Sequence, residues 1–165
     1  GDYVALDVGA HLDMAKVHVL ATMRLTHAAL PAMLKRRHGD IVNVASMSAF
    51  LIGPGQVTYA ATKAMLTSFS ESLQAELEDA GVRVQALCPG FTRTGFHDRP
   101  AFEAFDRAQI PKRRWMTAEK VVDASLAALD KKKVICVPGW KNRLLVRAMG
   151  FRPVRRIIGD IVRKK

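Results

Sequence analysis

The sequence predicts an α/β fold, a parallel sheet covered by helices. Three observations carry that expectation. Long segments with apolar residues at three- and four-residue steps alternate with short apolar runs. Each short run stops at a serine or at a Pro-Gly pair. No run approaches the roughly 20 apolar residues of a spanning helix, so the short runs read as strands and not as pieces of a membrane segment.

The elements follow in order. From about Gly9 to Arg37, the residues Leu12, Ala15, Val19, Met23 and Leu30 mark the apolar face of a long helix. Pro31 is expected to bend it. Lys35, Arg36 and Arg37 suit the negative end of the helix dipole, and Gly39 suits the left-handed residue beyond it. The run "DIVNVAS" then predicts a strand buried on both faces and ending at Ser46. A loop with Gly53, Pro54 and Gly55 leads into a second helix, about Gln56 to Ala80, closed by Gly81. "VRVQALCPG" and "KVICVPG" repeat the strand pattern. A helix from about Thr117 to Leu129 separates them, with Thr117 as N-cap and Glu119 in its first turn. Ligands in open parallel sheets bind beyond the carboxyl ends of the strands, which places Ser46, Pro89 and Gly90 on one rim with Tyr59 nearby.

Composition narrows the class. The chain has 165 residues, 49% hydrophobic and 25% charged, enough to bury the core of one globular domain and too apolar for disorder. Cys88 and Cys136 lie inside apolar runs and read as core residues of a reducing, cytoplasmic setting. The opening "GDYVALDVGA" lacks the basic start and apolar middle of a secretory signal. The net charge of +11 is unevenly placed. Residues 1–130 balance 14 basic against 14 acidic side chains, whereas residues 131–165 hold 12 basic ones and a single acid, Asp160. The basicity therefore belongs to the carboxyl-terminal stretch.

"TYAATKA", residues 58–64, sets Tyr59 and Lys63 four positions apart, on one face of a helix. A free phenol has a pKa of about 10 and transfers protons poorly at neutral pH, and a neighbouring ammonium is expected to lower it. Ser46, from the strand end, adds a hydroxyl for a carbonyl oxygen. Alone the spacing is weak, and a surface Tyr and Lys would explain it. The strand-end serine and the Pro-Gly turn make it specific.

"IVNVAS", "YAATKA" and "CPGFTRT" together resemble the short-chain dehydrogenase/reductase family, from about Leu6 to Pro138. The resemblance implies a Rossmann-like parallel sheet, here of about three strands, and interconversion of a carbonyl and an alcohol with NAD or NADP. It implies Tyr59 as general acid/base, Lys63 as its activator and ribose contact, and Ser46 as carbonyl anchor. It also implies Pro89, Gly90, Thr92 and Thr94 at the nicotinamide amide. His18, in "KVHVLA", stands where family members usually carry an asparagine that supports a proton relay; it reads either as a relay group or as a packing residue. The long helices imply a homo-oligomer. The family's glycine-rich turn has no counterpart, since no GxxxGxG pattern occurs, and the sequence starts at Gly1. A fragment or truncated product is the resulting expectation, with poor cofactor binding by the chain alone. A noncatalytic fragment that associates through its basic end is the rival reading.

Two segments leave alternatives open. Phe96, Phe102, Phe105, Ile110 and Trp115, between Thr92 and Met116, suit a lid over an apolar, acyl or sterol-like substrate, or ordinary packing. Residues 1–139 read as the catalytic part and residues 140–165 as a basic amphipathic extension. In that extension Val154, Ile157, Ile158, Ile161 and Val162 share one face of a helix begun by Pro153. That face suits packing on the domain or a second subunit, or adsorption to an anionic membrane; sparse aromatics argue against nucleic acid.

Overall fold

A computed structural model of the chain describes residues 2–51, 53–98 and 107–149. The order is α1 (Val8–Ala15), a π turn (Lys16–Leu20), α2 (Ala21–Arg36), β1 (Gly39–Val44), α3 (Val57–Glu76), β2 (Val82–Leu87), β3 (Thr92–Arg93), β4 (Met116–Thr117), α4 (Ala118–Asp130), β5 (Ile135–Cys136) and α5 (Trp140–Met149). The three apolar runs pair in parallel, in the order β1-β2-β5. Parallel neighbours need crossovers, and α3 and α4 supply them. A separate parallel pair, β3 with β4, joins Thr92 to Met116 at the two ends of the aromatic segment.

Alternation along β2 explains the layers. Val82 and Val84 pack with Leu30, Met33 and Leu73 of α2 and α3, whereas Leu87 packs with Val121 and Cys136 on the α4 side. Polar groups in this core are satisfied. Gln85, fully buried, accepts from the Ser125 hydroxyl at 2.6 Å and donates to the Ser125 carbonyl at 3.2 Å. The Asn43 amide donates to the Ser70 hydroxyl at 2.9 Å. Such pairs lock the helices against the sheet, because breaking one would strand a buried polar group.

Several expectations change. β1 is not buried on both faces: Val42 is 38% and Val44 56% exposed. Both point to the α4 side, but α4 stands behind β2 and β5, and β1 lies at the sheet edge. The first long helix is interrupted at Lys16–Leu20 by the π turn, and Pro31 lies inside α2. Leu12 and Met23, expected to face the core, are exposed, and the inward positions are His11 and Thr26. The left-handed residue after α2 is Arg37, at φ 51° and ψ 34°, and Gly39 instead opens β1. α3 ends at Glu76, four residues before the expected Ala80. Thr117 caps α4 as expected, its hydroxyl accepting from the Lys120 amide at 3.4 Å. α5, the start of the expected extension, packs inward: Met149 is 1% exposed and Val146 joins the core around Leu66 and Val137. The helix expected over Val154, Ile157, Ile158, Ile161 and Val162 lies outside the described residues, as do Phe102 and Phe105.

Gly81 and Gly55 share a positive φ, 75° and 78°, but only at Gly81 would a Cβ run into backbone, the Arg37 carbonyl. Both Gly→Ala variants incur left-handed strain of about 1–2 kcal/mol. Gly81→Ala adds the displacement of the α2–β1 corner. Urea unfolding is expected to rank Gly81→Ala clearly below Gly55→Ala in stability; equal losses would show that the corner yields without resistance.

Candidate active site

Hydrogen bonding between the main sheet strands continues past their ends. The Ala45 amide donates to the Leu87 carbonyl at 2.8 Å, and the Met47 amide to the Pro89 carbonyl at 3.0 Å. Ser46, extended between them, accepts from the Ser48 amide at 3.1 Å and so starts the short 3-10 turn Met47–Phe50. The chain cannot fold this way without leaving the Ser46 hydroxyl at the carboxyl rim beside the Pro89–Gly90 turn.

α3 delivers the other two groups. Tyr59 lies in its first turn and Lys63 one turn later, on the same face. The Lys63 ammonium is buried and donates to the Val44 carbonyl at 2.9 Å. It stands 5.7 Å from the Tyr59 ring centroid. The Ser46 hydroxyl acts on the Tyr59 phenol in the direction that favours its ionised form. Serine, tyrosine and lysine, expected together from sequence, are together.

The electrostatics differ from the expectation. Burial pushes the Tyr59 phenol above its ordinary value, and the opposing influence is the Ser46 hydrogen bond rather than Lys63. Burial pulls the Lys63 ammonium below its ordinary value, with a smaller opposing effect from Cys88. Each group is thus shifted toward its neutral form, as desolvation requires.

His18 joins the group from the middle of the π turn. Its ring meets Tyr59 edge-on at 5.8 Å between centroids, and its Nδ1 lies 3.0 Å from the Thr62 hydroxyl. Thr62 spends its one proton on the Tyr59 carbonyl at 2.8 Å. Nδ1 of His18 must therefore be the donor, which leaves Nε2 as the acceptor of a neutral ring. Burial and then the Lys63 charge lower the His18 pKa, favouring that neutral form.

Of the residues expected at the nicotinamide amide, Pro89 and Gly90 adjoin Ser46 through Met47. Thr92 and Thr94 serve local turns: the Thr92 hydroxyl donates to the Gly90 carbonyl at 3.1 Å, and the Thr94 hydroxyl accepts from the Phe96 amide at 3.2 Å. Trp115 packs on Phe91 at 5.4 Å between ring centroids, so the aromatic segment is anchored next to the turn. Thr62 was not singled out from sequence, although its place between Tyr59 and Lys63 was the available signal. No cluster of metal-ligating side chains occurs among the described residues, and no helix among them is long and apolar enough to cross a membrane.

Fold and site together define a parallel α/β domain with a serine-tyrosine-lysine group at the carboxyl rim of its sheet. Residues 5–101 match the short chain dehydrogenase profile, more than half of the sequence, and the chain belongs to that family. It is 30% identical over 122 residues to the 3-oxoacyl-acyl-carrier-protein reductase FabG of Buchnera aphidicola, covering 73% of this chain and 50% of the relative. A short-chain dehydrogenase from Sphingobium yanoikuyae, solved in complex with NADPH, superposes with a TM-score of 0.75 at 28% identity, over 85% of this chain and 53% of that one. The bulky-bulky ketone specific alcohol dehydrogenase of Comamonas testosteroni gives 0.69 at 28% identity, over 84% and 49%. The chain spans about half the length of the relatives it matches.

In a Tyr3→Phe background, tyrosinate absorbance reports Tyr59 alone, since the chain has two tyrosines. Its midpoint is expected above the ordinary value of about 10, and Ser46→Ala should raise it further by removing a bond that favours phenolate. By linkage, a raised folded-state value contributes stability that is present below the ordinary pKa and lost as pH rises through the raised one. A midpoint below the ordinary value would mean that the ammonium dominates after all.

Proposed function

We propose that the chain carries the catalytic part of an NAD(P)-dependent oxidoreductase that interconverts a carbonyl and a secondary alcohol on an apolar substrate. The observation that carries this reading is the Ser46–Tyr59–Lys63 group, with Ser46 at the strand end, the Lys63 ammonium fixed on the Val44 carbonyl and the same ammonium 5.7 Å from the Tyr59 ring centroid. The donor set fits a nicotinamide ribose: the Tyr59 hydroxyl and Lys63 ammonium lie on one helical face, suited to a vicinal diol, and the main chain of Pro89 and Gly90 stands across the rim. The nicotinamide, when bound, supplies or accepts the hydride that side chains cannot.

Ser46 orients the substrate oxygen by hydrogen bonding, and Tyr59 gives its phenolic proton to that oxygen as the carbonyl carbon is reduced. In the reverse direction Tyr59 must first lose that proton, and burial opposes the loss. His18 and Thr62 adjoin the group, the Thr62 hydroxyl holding the Tyr59 main-chain carbonyl and the His18 ring lying edge-on to the Tyr59 ring, which favours a polar supporting role for His18 beside the phenol. His18 thus replaces an amide with a group that itself titrates.

An apolar substrate is supported by Phe91 and Trp115 beside the turn, and by likeness to a ketone-specific alcohol dehydrogenase and a 3-oxoacyl reductase. The exposed stripe of Leu12, Leu20, Met23 and Leu34 on α1 and α2 supports a homo-oligomer in which a second subunit covers it.

The test is a chain joined to a glycine-rich cofactor half, assayed with NADPH and an apolar ketone. Tyr59→Phe is expected to lower kcat by about 10²–10⁴, the worth of a positioned proton donor. Undiminished turnover would remove Tyr59 from the mechanism. Because the phenol is held protonated, alcohol oxidation should climb with pH well into the alkaline range while ketone reduction does not; parallel pH profiles would contradict this assignment.

A further inference from the structure

α5 begins directly after β5, and the third residue of its first turn, Asn142, reaches back over the strand ends. Its Nδ2 donates to the Pro138 carbonyl at 2.8 Å and lies 3.9 Å from the Met116 sulfur. The same nitrogen occupies the space beside Gly90: a Cβ there would stand 3.0 Å from it and 3.1 Å from the Met47 sulfur. At Gly139, where φ is 85°, a Cβ would lie 3.4 Å from it. One amide therefore meets the ends of β2 and β5 and the start of β4.

We infer that Asn142 is a positioning residue that fixes the Pro89–Gly90 turn against Met47 and so sets the face this turn presents to the nicotinamide. Gly90 lacks a side chain because Asn142 and Met47 fill the place on its inner side, which leaves the turn no room to retreat. Phe91 continues from it, and its carbonyl accepts the Met116 amide at 2.9 Å. Displacing Asn142 thus frees the turn and the aromatic segment behind it together. The claim for the cofactor rests on the function proposed above; the claim for the turn does not.

Amide hydrogen exchange on the 165-residue chain separates the two. Asn142→Ala is expected to speed exchange about tenfold or more at Met47 and Met116, whose partners are the Pro89 and Phe91 carbonyls, while Ala86, bonded to Val134 in the sheet, keeps its rate. Asn142→Asp keeps the shape without the donor and is expected to give the same pattern, which covers a failure of the alanine variant to fold. Unchanged exchange at Met47 and Met116 in a folded variant, or faster exchange confined to α5, overturns the inference. NADPH fluorescence supplies the second reading. In the chain joined to a glycine-rich cofactor half, Asn142→Ala should weaken NADPH binding about fivefold or more. If exchange responds while that binding is unaltered, the role in the turn stands and the cofactor assignment is what fails.

Discussion

The bond from the Lys63 ammonium to the Val44 carbonyl is the constraint on which the site depends. A buried charge needs a partner of opposite polarity, and among the described residues no carboxylate pairs with this one. The last carbonyl of β1 takes that place. To reach it, α3 must lie across the strand end at one rotation about its axis, and that rotation carries Tyr59, a turn earlier, to Ser46. Helix orientation, tyrosine placement and serine contact follow from one ammonium seeking an oxygen.

The same burial governs the chemistry. Removing Tyr59 and Lys63 from water favours the uncharged form of each, so it raises one pKa and lowers the other. A charged lysine would favour phenolate, but its Nζ is directed at the strand carbonyl and stands 5.7 Å from the ring centroid. The influence that opposes burial at the phenol comes from the Ser46 hydroxyl instead. Tyr59 accordingly rests as a protonated phenol. His18, favoured in its neutral form and tied to Thr62, packs edge-on against the Tyr59 ring.

Much of this was legible in the sequence, for identifiable reasons. Parallel strands read as apolar runs with sharp stops, and all three did. The i, i+4 spacing of Tyr59 and Lys63 fixes their common face whatever surrounds the helix. Features that depend on neighbours were not legible. The apolar periodicity suggested a core face, and Leu30 does pack with Val82 and Val84, but Leu12 and Met23 are exposed and His11 is turned inward, onto the Tyr3 carbonyl and the Thr58 hydroxyl. Val42 and Val44 look like interior residues by composition, but β1 lies at the edge of the three-stranded sheet, beyond the cover of α4. The direction of the Tyr59 shift was missed because spacing reports proximity and not desolvation.

The architecture also divides labour between two pieces of sheet. β1 and α3 hold the serine-tyrosine-lysine group. β2 runs on through Pro89 and Gly90 to Phe91, then into β3, whose partner β4 leads to α4. The pieces are linked at the rim by the Met47 amide on the Pro89 carbonyl and by the packing of Met47 and Asn142 around Gly90. Side chains beyond Phe91 can therefore change size and polarity without moving Tyr59 or Lys63, whose positions are set by Val44 and Ser46. A change at the junction reaches both pieces at once. The β3–β4 segment is free to vary, whereas the space around Gly90, filled by Met47 and Asn142, tolerates little added volume.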